Sequence, residues 1–443
     1  MSNVEKKHCD LMIHAGFVVP VHPHGVVLPD HCVMVNAHQI VGITSAATAH
    51  QEWEPKCCIR RPNSALLPGL INAHAHSPMT LLRGLSDDVP LMEWLQKHIW
   101  PVEQRVMGEE FVADGTVLAI AEMLRGGTTC VNENYFFPDV QANIYHRFGF
   151  RATVGAIVIH FPSAWAKSDA QYIEKAETLC AQWHDNPLIQ IAIAPHAPYS
   201  VNDTHLVHVR ALSTKWNAKV HLHLHETAQE IHDSLKEYGK RPIKRIQDAG
   251  LWNNQLLAVH MTQLDQEEID ACVQHDVSIV HCPESNLKLA SGFCPIGALQ
   301  RAGARIALGT DGCASNNDLD MFGEMRTAAL LAKAVANDPT ALNAASTLHA
   351  ATLGGARALG WDHAIGSIEI GKQADLICID LSPIEAQPLH NVLSHIVYCA
   401  GRQHVSDVWI AGQRKLRAGQ LEDMDVEEIR TKAHYWRTRI RAT

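Results

Sequence analysis

Between residues 66 and 310, short apolar segments alternate with longer amphipathic ones, and this alternation restricts the fold more than any other feature of the chain. The strand-like runs are LLPGLIN (66–72), GTTCVN (127–132), ATVGAIVI (152–159), LIQIAIAP (188–195), KVHLHLH (219–225), QLLAVH (255–260), VSIVHC (277–282) and RIALGT (305–310). Stretches such as EEFVADGTVLAIAEMLRG and DAQYIEKAETLCAQWH place apolar residues at helical spacing between most of them. Strand–helix repeats point to a parallel sheet with helices packed outside it. Eight units over about 250 residues fit a (β/α)8 barrel. A doubly wound open sheet is the alternative, but it normally carries a glycine-rich phosphate turn after its first strand, and PGLINAHAH is not one.

Both ends of the chain have a different texture. DLMIHAGFVVPV and GVVLPDHCVMVNAHQIVGIT read as short strands with turns, and the same pattern returns at 366–382 and 405–420. Chain ends commonly lie close together at a surface. Residues 1–65 and 366–420 are therefore expected to form one small β-sandwich-like domain, with the barrel over 66–365 and a C-terminal helix over 421–443. Arg125-Gly126-Gly127-Thr128 reads as a helix stop before a strand, not as a phosphate loop.

Composition removes several function classes. Hydrophobic residues make up 47% and charged ones 19%, which excludes a disordered or coiled-coil chain. The 37 basic residues are outnumbered by 47 acidic ones, and no basic cluster is present, so nucleic acid is not expected as a partner. No eighteen apolar residues run together and the N-terminus lacks a leader pattern, so no membrane association and a cytoplasmic location are expected. Twelve scattered cysteines read as reduced thiols. The 29 histidines exceed what a fold requires and direct attention to metal and acid–base chemistry.

Many of the polar residues stand at the C-terminal ends of the expected strands, which in a barrel converge on one mouth. His74 and His76 follow the first, His196 the fourth, His223 lies in the fifth, His260 ends the sixth and Asp311 follows the eighth. An extended His74-Ala75-His76 puts two imidazoles on one face, where both can bind one cation. Taken alone, the pair reads more readily as two unrelated surface or core histidines, and its place after PGLIN at a strand end changes that. In HLHLHE, His221, His223 and His225 share a face, and no more than two can reach one metal's depth. Glu226 lies three residues beyond His223, where a carboxylate can reach an activated water without ligating, or can serve as an acidic residue at a helix start. Asp311, in LGTDG, also reads as an ordinary turn.

PGLINAHAH, the HxxE of His223 and Glu226, His260, SNLKLASG (285–292) and LGTDGCASNN (308–317), together with ADLICID, resemble the amidohydrolase superfamily over about residues 8–420. Within it the chain is most similar to the 5'-methylthioadenosine/S-adenosylhomocysteine deaminases. The resemblance implies one divalent metal per subunit, zinc above iron or manganese, held by His74, His76, His223 and Asp311. Binuclear relatives carry a bridging lysine after the fourth strand, whereas this chain reads IAIAPHAPYS there. The implied reaction is hydrolytic attack at C6 of the adenine ring of methylthioadenosine, S-adenosylhomocysteine or adenosine, with release of ammonia. Glu226 would carry a proton to ring N1, His260 would stabilise developing charge and Asp311 would help protonate the leaving ammonia.

The same resemblance assigns substrate contacts to His196, Trp94 and Glu103, the last facing the ribose diol. From the residues alone, His196 also fits a satisfied barrel histidine, and MEWLQKHIWPVEQR an amphipathic helix with a core Trp and a solvated Glu. Relatives that grip the homocysteine tail use arginines near the third strand, but VGAIVIHFPSAWAKSD offers only Lys167, which ranks methylthioadenosine above S-adenosylhomocysteine. Guanine or 8-oxoguanine deamination and triazine hydrolysis are the alternatives on the same scaffold, and a non-catalytic scaffold is the alternative from another class. A small-molecule nucleoside is the expected partner, and a homo-oligomer is compatible with the reading.

Overall fold

The computed structural model describes residues 6–442. The N-terminal strands are β1 (Lys7–Val18), β2 (Leu28–Asn36), β3 (Gln39–Ser45) and β4 (Trp53–Pro68). Eight strands follow: β5 (Leu70–Ala75), β6 (Thr128–Tyr135), β7 (Arg151–Val158), β8 (Ile189–Pro195), β9 (Val220–Leu224), β10 (Leu256–His260), β11 (Ser278–His281) and β12 (Arg305–Leu308). The C-terminal strands are β13 (Leu376–Asp380), β14 (Val405–Ile410), β15 (Gln413–Arg417) and β16 (Gln420–Leu421), before a helix over Val426–Arg441.

Strands β5 to β12 form a parallel sheet in sequence order. A parallel bridge between Ala75 and Asp311 brings its two edges together, closing the (β/α)8 barrel that the alternation predicts. Strands β6 and β7 are buried at every position. Such continuous burial is why they read as unbroken apolar runs: one face fills the barrel and the other meets the helical ring. Several outer helices start where a side chain accepts from a free amide, as Ser168 does from Gln171 and Thr227 from Glu230. Among the described residues, no helix is long and apolar enough to cross a membrane.

The second sheet has the order β16-β15-β14-β13-β4-β1-β2-β3, so its two halves come from opposite ends of the chain and meet where β13 pairs with β4. The strand expected over 66–72 is divided between the sheets, because residues up to Pro68 stay in β4 and the barrel begins at Leu70. Gly69 is the joint. A Cβ there would lie 2.0 Å from Thr129 Oγ1, so only glycine lets the two sheets approach this closely. Arg151, fully buried at the start of β7, locks the same junction by donating from Nε and Nη2 to both carboxylate oxygens of Asp375, at 2.8 and 3.0 Å. At the C-terminus Trp436 is buried edge to face against Phe111 and donates to Asp114 Oδ2 at 2.8 Å, docking the last helix on the barrel.

Candidate metal and substrate site

The barrel mouth gathers the residues singled out by sequence. His74 ends up fully buried in β5 and His76 one residue past it. Asp311, 237 residues beyond His74 in the chain, reaches it through the closing bridge, where its N–H donates to His74 O at 3.0 Å. Gly309 permits this approach, since a Cβ would sit 2.7 Å from His74 N. Asp311 itself has φ +64°, a costly conformation for a non-glycine residue that its surroundings hold in place. Strand β9 supplies His223 and ends at Leu224, after which His225 turns away with φ +52°.

One ligand atom each of His74, His76, His223 and Asp311 lies within 4.8 Å of the others. His74 Nε2 and His76 Nε2 are 3.2 and 3.1 Å from Asp311 Oδ1, and His223 Nε2 is 3.3 Å from His76 Nε2. The far ring nitrogens determine what these inner ones carry. His223 Nδ1 donates to His196 O at 2.7 Å and His76 Nδ1 to Asn134 O. A carbonyl only accepts, so in the neutral rings both Nε2 atoms present lone pairs to each other and to the carboxylate. A positive charge among them turns this repulsion into attraction, so the donor set fits a divalent cation. Burial and then the neighbouring imidazoles hold His223 well below its ordinary value, in the neutral form a metal takes. Burial works against ionised Asp311, yet the imidazoles of His74 and His76 beside it keep it well below the usual carboxylate range.

Sequence reasoning named no partners for these groups, and the structure supplies them. His74 Nδ1 meets His221 Nε2 at 2.8 Å, so His221 stands one layer below the cluster as a buried support. Ser285 Oγ and Ser315 Oγ donate to Asp311 Oδ2 at 2.6 and 2.8 Å. Glu133 accepts from Ser77 N at 2.9 Å and clamps the loop after His76. Asn286 Nδ2 donates to His260 Nδ1 at 3.0 Å, which leaves the Nε2 proton of His260 directed at the site. Ser285 and Asn286 fall in the quoted SNLKLASG segment, but only the fold shows which of its polar residues turn inward.

Glu226 is buried beside this cluster, with Oε2 3.9 Å from His260 Nε2. Burial, then Asp311 and Glu230, pushes its carboxyl well above the usual range, so it holds a proton more readily than an ordinary carboxylate. Its own N–H donates to Glu230 Oε2 at 2.8 Å, and the helix that follows is capped by Thr227 instead.

A cavity of about 820 Å³ opens from the cluster, lined by Glu226, His260, His196, Trp94 and Glu103 among others. His196 is positioned by its carbonyl bond to His223 and by Ser200 Oγ, 3.2 Å from its Nδ1. Trp94 and Glu103 arrive together because a π-helical segment, Trp94–Ile99, precedes the helix Trp100–Val106. Glu103 is not solvated: it is buried and accepts from the Tyr135 hydroxyl, and burial pushes its carboxyl up to about 7. Among the lining residues, Lys167 is the only Lys or Arg, and its Nζ donates to Ser163 O at 2.7 Å.

The pattern of the amidohydrolase family matches residues 65–415. The chain belongs to the amidohydrolase family. A relative from Teredinibacter turnerae, named a 5-methylthioadenosine/S-adenosylhomocysteine deaminase, is 43% identical over 98% of each chain. The crystal structure of an adenosine deaminase from Xanthomonas campestris with bound zinc is 62% identical, with a TM-score of 0.98, and covers 99% of this chain and 100% of that one. The atrazine chlorohydrolase from Arthrobacter aurescens, 21% identical with a TM-score of 0.89 over 96% of this chain and 99% of its own, shares the fold. This amidohydrolase is a hydrolase acting on C–N bonds.

Proposed function

We propose that this amidohydrolase removes the 6-amino group of 5'-methylthioadenosine, with S-adenosylhomocysteine and adenosine as further substrates, yielding the inosine analogue and ammonia. The observation that carries the reading is the meeting of three imidazoles and one carboxylate beside buried Glu226 and His260 at the floor of one cavity. The names of the 43% and 62% identical relatives support it. His74, His76, His223 and Asp311 would hold one divalent ion, with zinc favoured by the donor set and by the zinc in the Xanthomonas enzyme; iron or manganese would be accepted too. When bound, such an ion supplies Lewis acidity that lowers the pKa of a water towards ~7.

The chain's residues account for the remaining steps. Glu226 takes a proton from the attacking water and delivers it to N1, while the water oxygen bonds to C6. His260 directs its Nε2–H at the negative charge that grows on that oxygen. Asp311, its Oδ2 fixed by Ser285 and Ser315, passes the second proton of the added water to the departing amine as the C6–N bond breaks, leaving the C6 carbonyl and ammonia. His196 and Trp94 orient the nucleoside, and Glu103 accepts from the ribose hydroxyls. With Lys167 the one Lys or Arg in the wall, the cavity suits an apolar methylthio group better than a zwitterionic tail. Twelve cysteines, all free, accord with a cytoplasmic setting. Ammonia release from methylthioadenosine, S-adenosylhomocysteine, adenosine, guanine and 8-oxoguanine tests the proposal. The methylthio nucleoside is expected to give the highest kcat/KM, and turnover of the guanines alone would overturn the reading.

A further inference from the structure

The small sheet carries a second gathering of metal-competent side chains. His14 on β1 and Cys32 on β2 are directly paired across an antiparallel ladder, so they point to one face. The short helix Ala46–Glu52 covers that face, packing Ala46 and Ala49 with Met12, Cys32 and Met34. Its last turn brings in His50. One ligand atom each of His14, Cys32 and His50 lies within 4.8 Å of the others. The His14 and His50 rings stand edge to face, with centroids 5.8 Å apart.

Hydrogen bonding determines what His14 can offer. Its Nε2 lies 2.7 Å from Asp30 Oδ1, and a carboxylate only accepts, so Nε2 carries the proton. The lone pair is then on Nδ1, which is buried and has no hydrogen-bond partner among the described residues. A buried acceptor left unpaired is unfavourable, and a cation bound to it removes that penalty. The Asp30–His14 bond is also the arrangement that orients imidazoles at metal centres. One sulfur and two imidazoles form a borderline-to-soft donor set, suited to zinc and unlike the oxygen shells of magnesium or calcium.

We propose that His14 Nδ1, Cys32 Sγ and a ring nitrogen of His50 form a second, non-catalytic zinc site that ties the helix Ala46–Glu52 to β1 and β2. It shares no residue with the four donors of the barrel mouth. His50 is exposed, so a fourth coordination position is open to water. Binding forms a zinc–sulfur bond and breaks the Cys32 S–H bond, the proton passing to solvent. Burial, followed by Cys58 and Asp30 and opposed by Arg60, pushes the free thiol up to about 12, so the metal itself drives the deprotonation.

The barrel donors include no sulfur, so a spectroscopic signature separates the two sites. Full-length enzyme is stripped with chelator, reloaded with Co2+ or Zn2+, dialysed and assayed for bound metal. Two equivalents per chain are expected, with a sulfur-to-cobalt charge-transfer band in the near ultraviolet. Cys32→Ser and His14→Phe should each lose that band and one equivalent. The exposed-thiol double variant Cys57→Ser/Cys58→Ser should keep both, which excludes adventitious thiol binding. His50→Ala, altered at a surface position that folding tolerates, must lose the same band. A single equivalent without the band in the unaltered enzyme, or a band that survives Cys32→Ser, overturns the proposal.

Discussion

Replacing Glu226 by Gln separates proton transfer from metal binding and from folding. The side chain is buried and the His260 Nε2 atom facing it is 3.9 Å from Oε2, beyond hydrogen-bond range, so no strong bond to that ring is lost with the carboxylate. The contact with Glu230 uses the backbone N–H and survives the change. An amide of the same shape also removes the charge that burial, Asp311 and Glu230 disfavour, so stability should stay level or rise. Only the ability to accept and deliver a proton disappears. General acid–base catalysis by one positioned group is worth roughly 10²–10⁴ in rate, about 3–5.5 kcal/mol of barrier. The expected variant therefore binds metal in the wild-type ratio, melts at or above the wild-type temperature and releases ammonia at least a hundredfold more slowly. Metal analysis, a thermal melt and steady-state ammonia release measure the three quantities. Turnover within tenfold of wild type would refute the proton-carrying role, and loss of metal would place Glu226 among the ligands.

His223→Ala should lower bound metal and ammonia release together, because one of four converging donors is gone; a variant that keeps both contradicts the ligand set. Glu103 is held up to about 7 by burial, so its carboxyl is ionised above that pH and neutral below it. KM for the nucleoside should then rise as pH falls through about 7 in wild type and stay flat in Glu103→Gln, and identical profiles would remove Glu103 from ribose binding. Asp375→Ala leaves buried Arg151 without its carboxylate and should cost about 3–5 kcal/mol in chemical denaturation, whereas Arg151→Met/Asp375→Leu should recover most of that loss. A single variant as stable as wild type would show that the junction does not depend on the pair.

Repeating strand and helix periods made the barrel legible, because the pattern of burial along each element is written into its own neighbouring residues. Each of the eight short apolar runs of the central region supplies a barrel strand, the first only from Leu70 onward, and the alternation in HLHLHE puts His221 and His223 on one face of β9. Motifs of a few residues, PGLINAHAH and LGTDG above all, likewise marked where His74, His76 and Asp311 stand at strand ends. Other features could not be read along the chain. Gly69 is a hinge between two sheets only because Thr129 packs on it, and the strand expected across it was divided for that reason. Ser285, Ser315, Asn286 and Tyr135 gained their roles from partners supplied by other strands and loops. Which of His221, His223 and His225 faces the cluster was decided by the depth of β9 in the barrel and by the left-handed turn at His225. Local periodicity is a property of adjacent residues, whereas the meeting of His74 with Asp311 requires closing a ring of eight strands across 237 residues, and only the folded barrel does that.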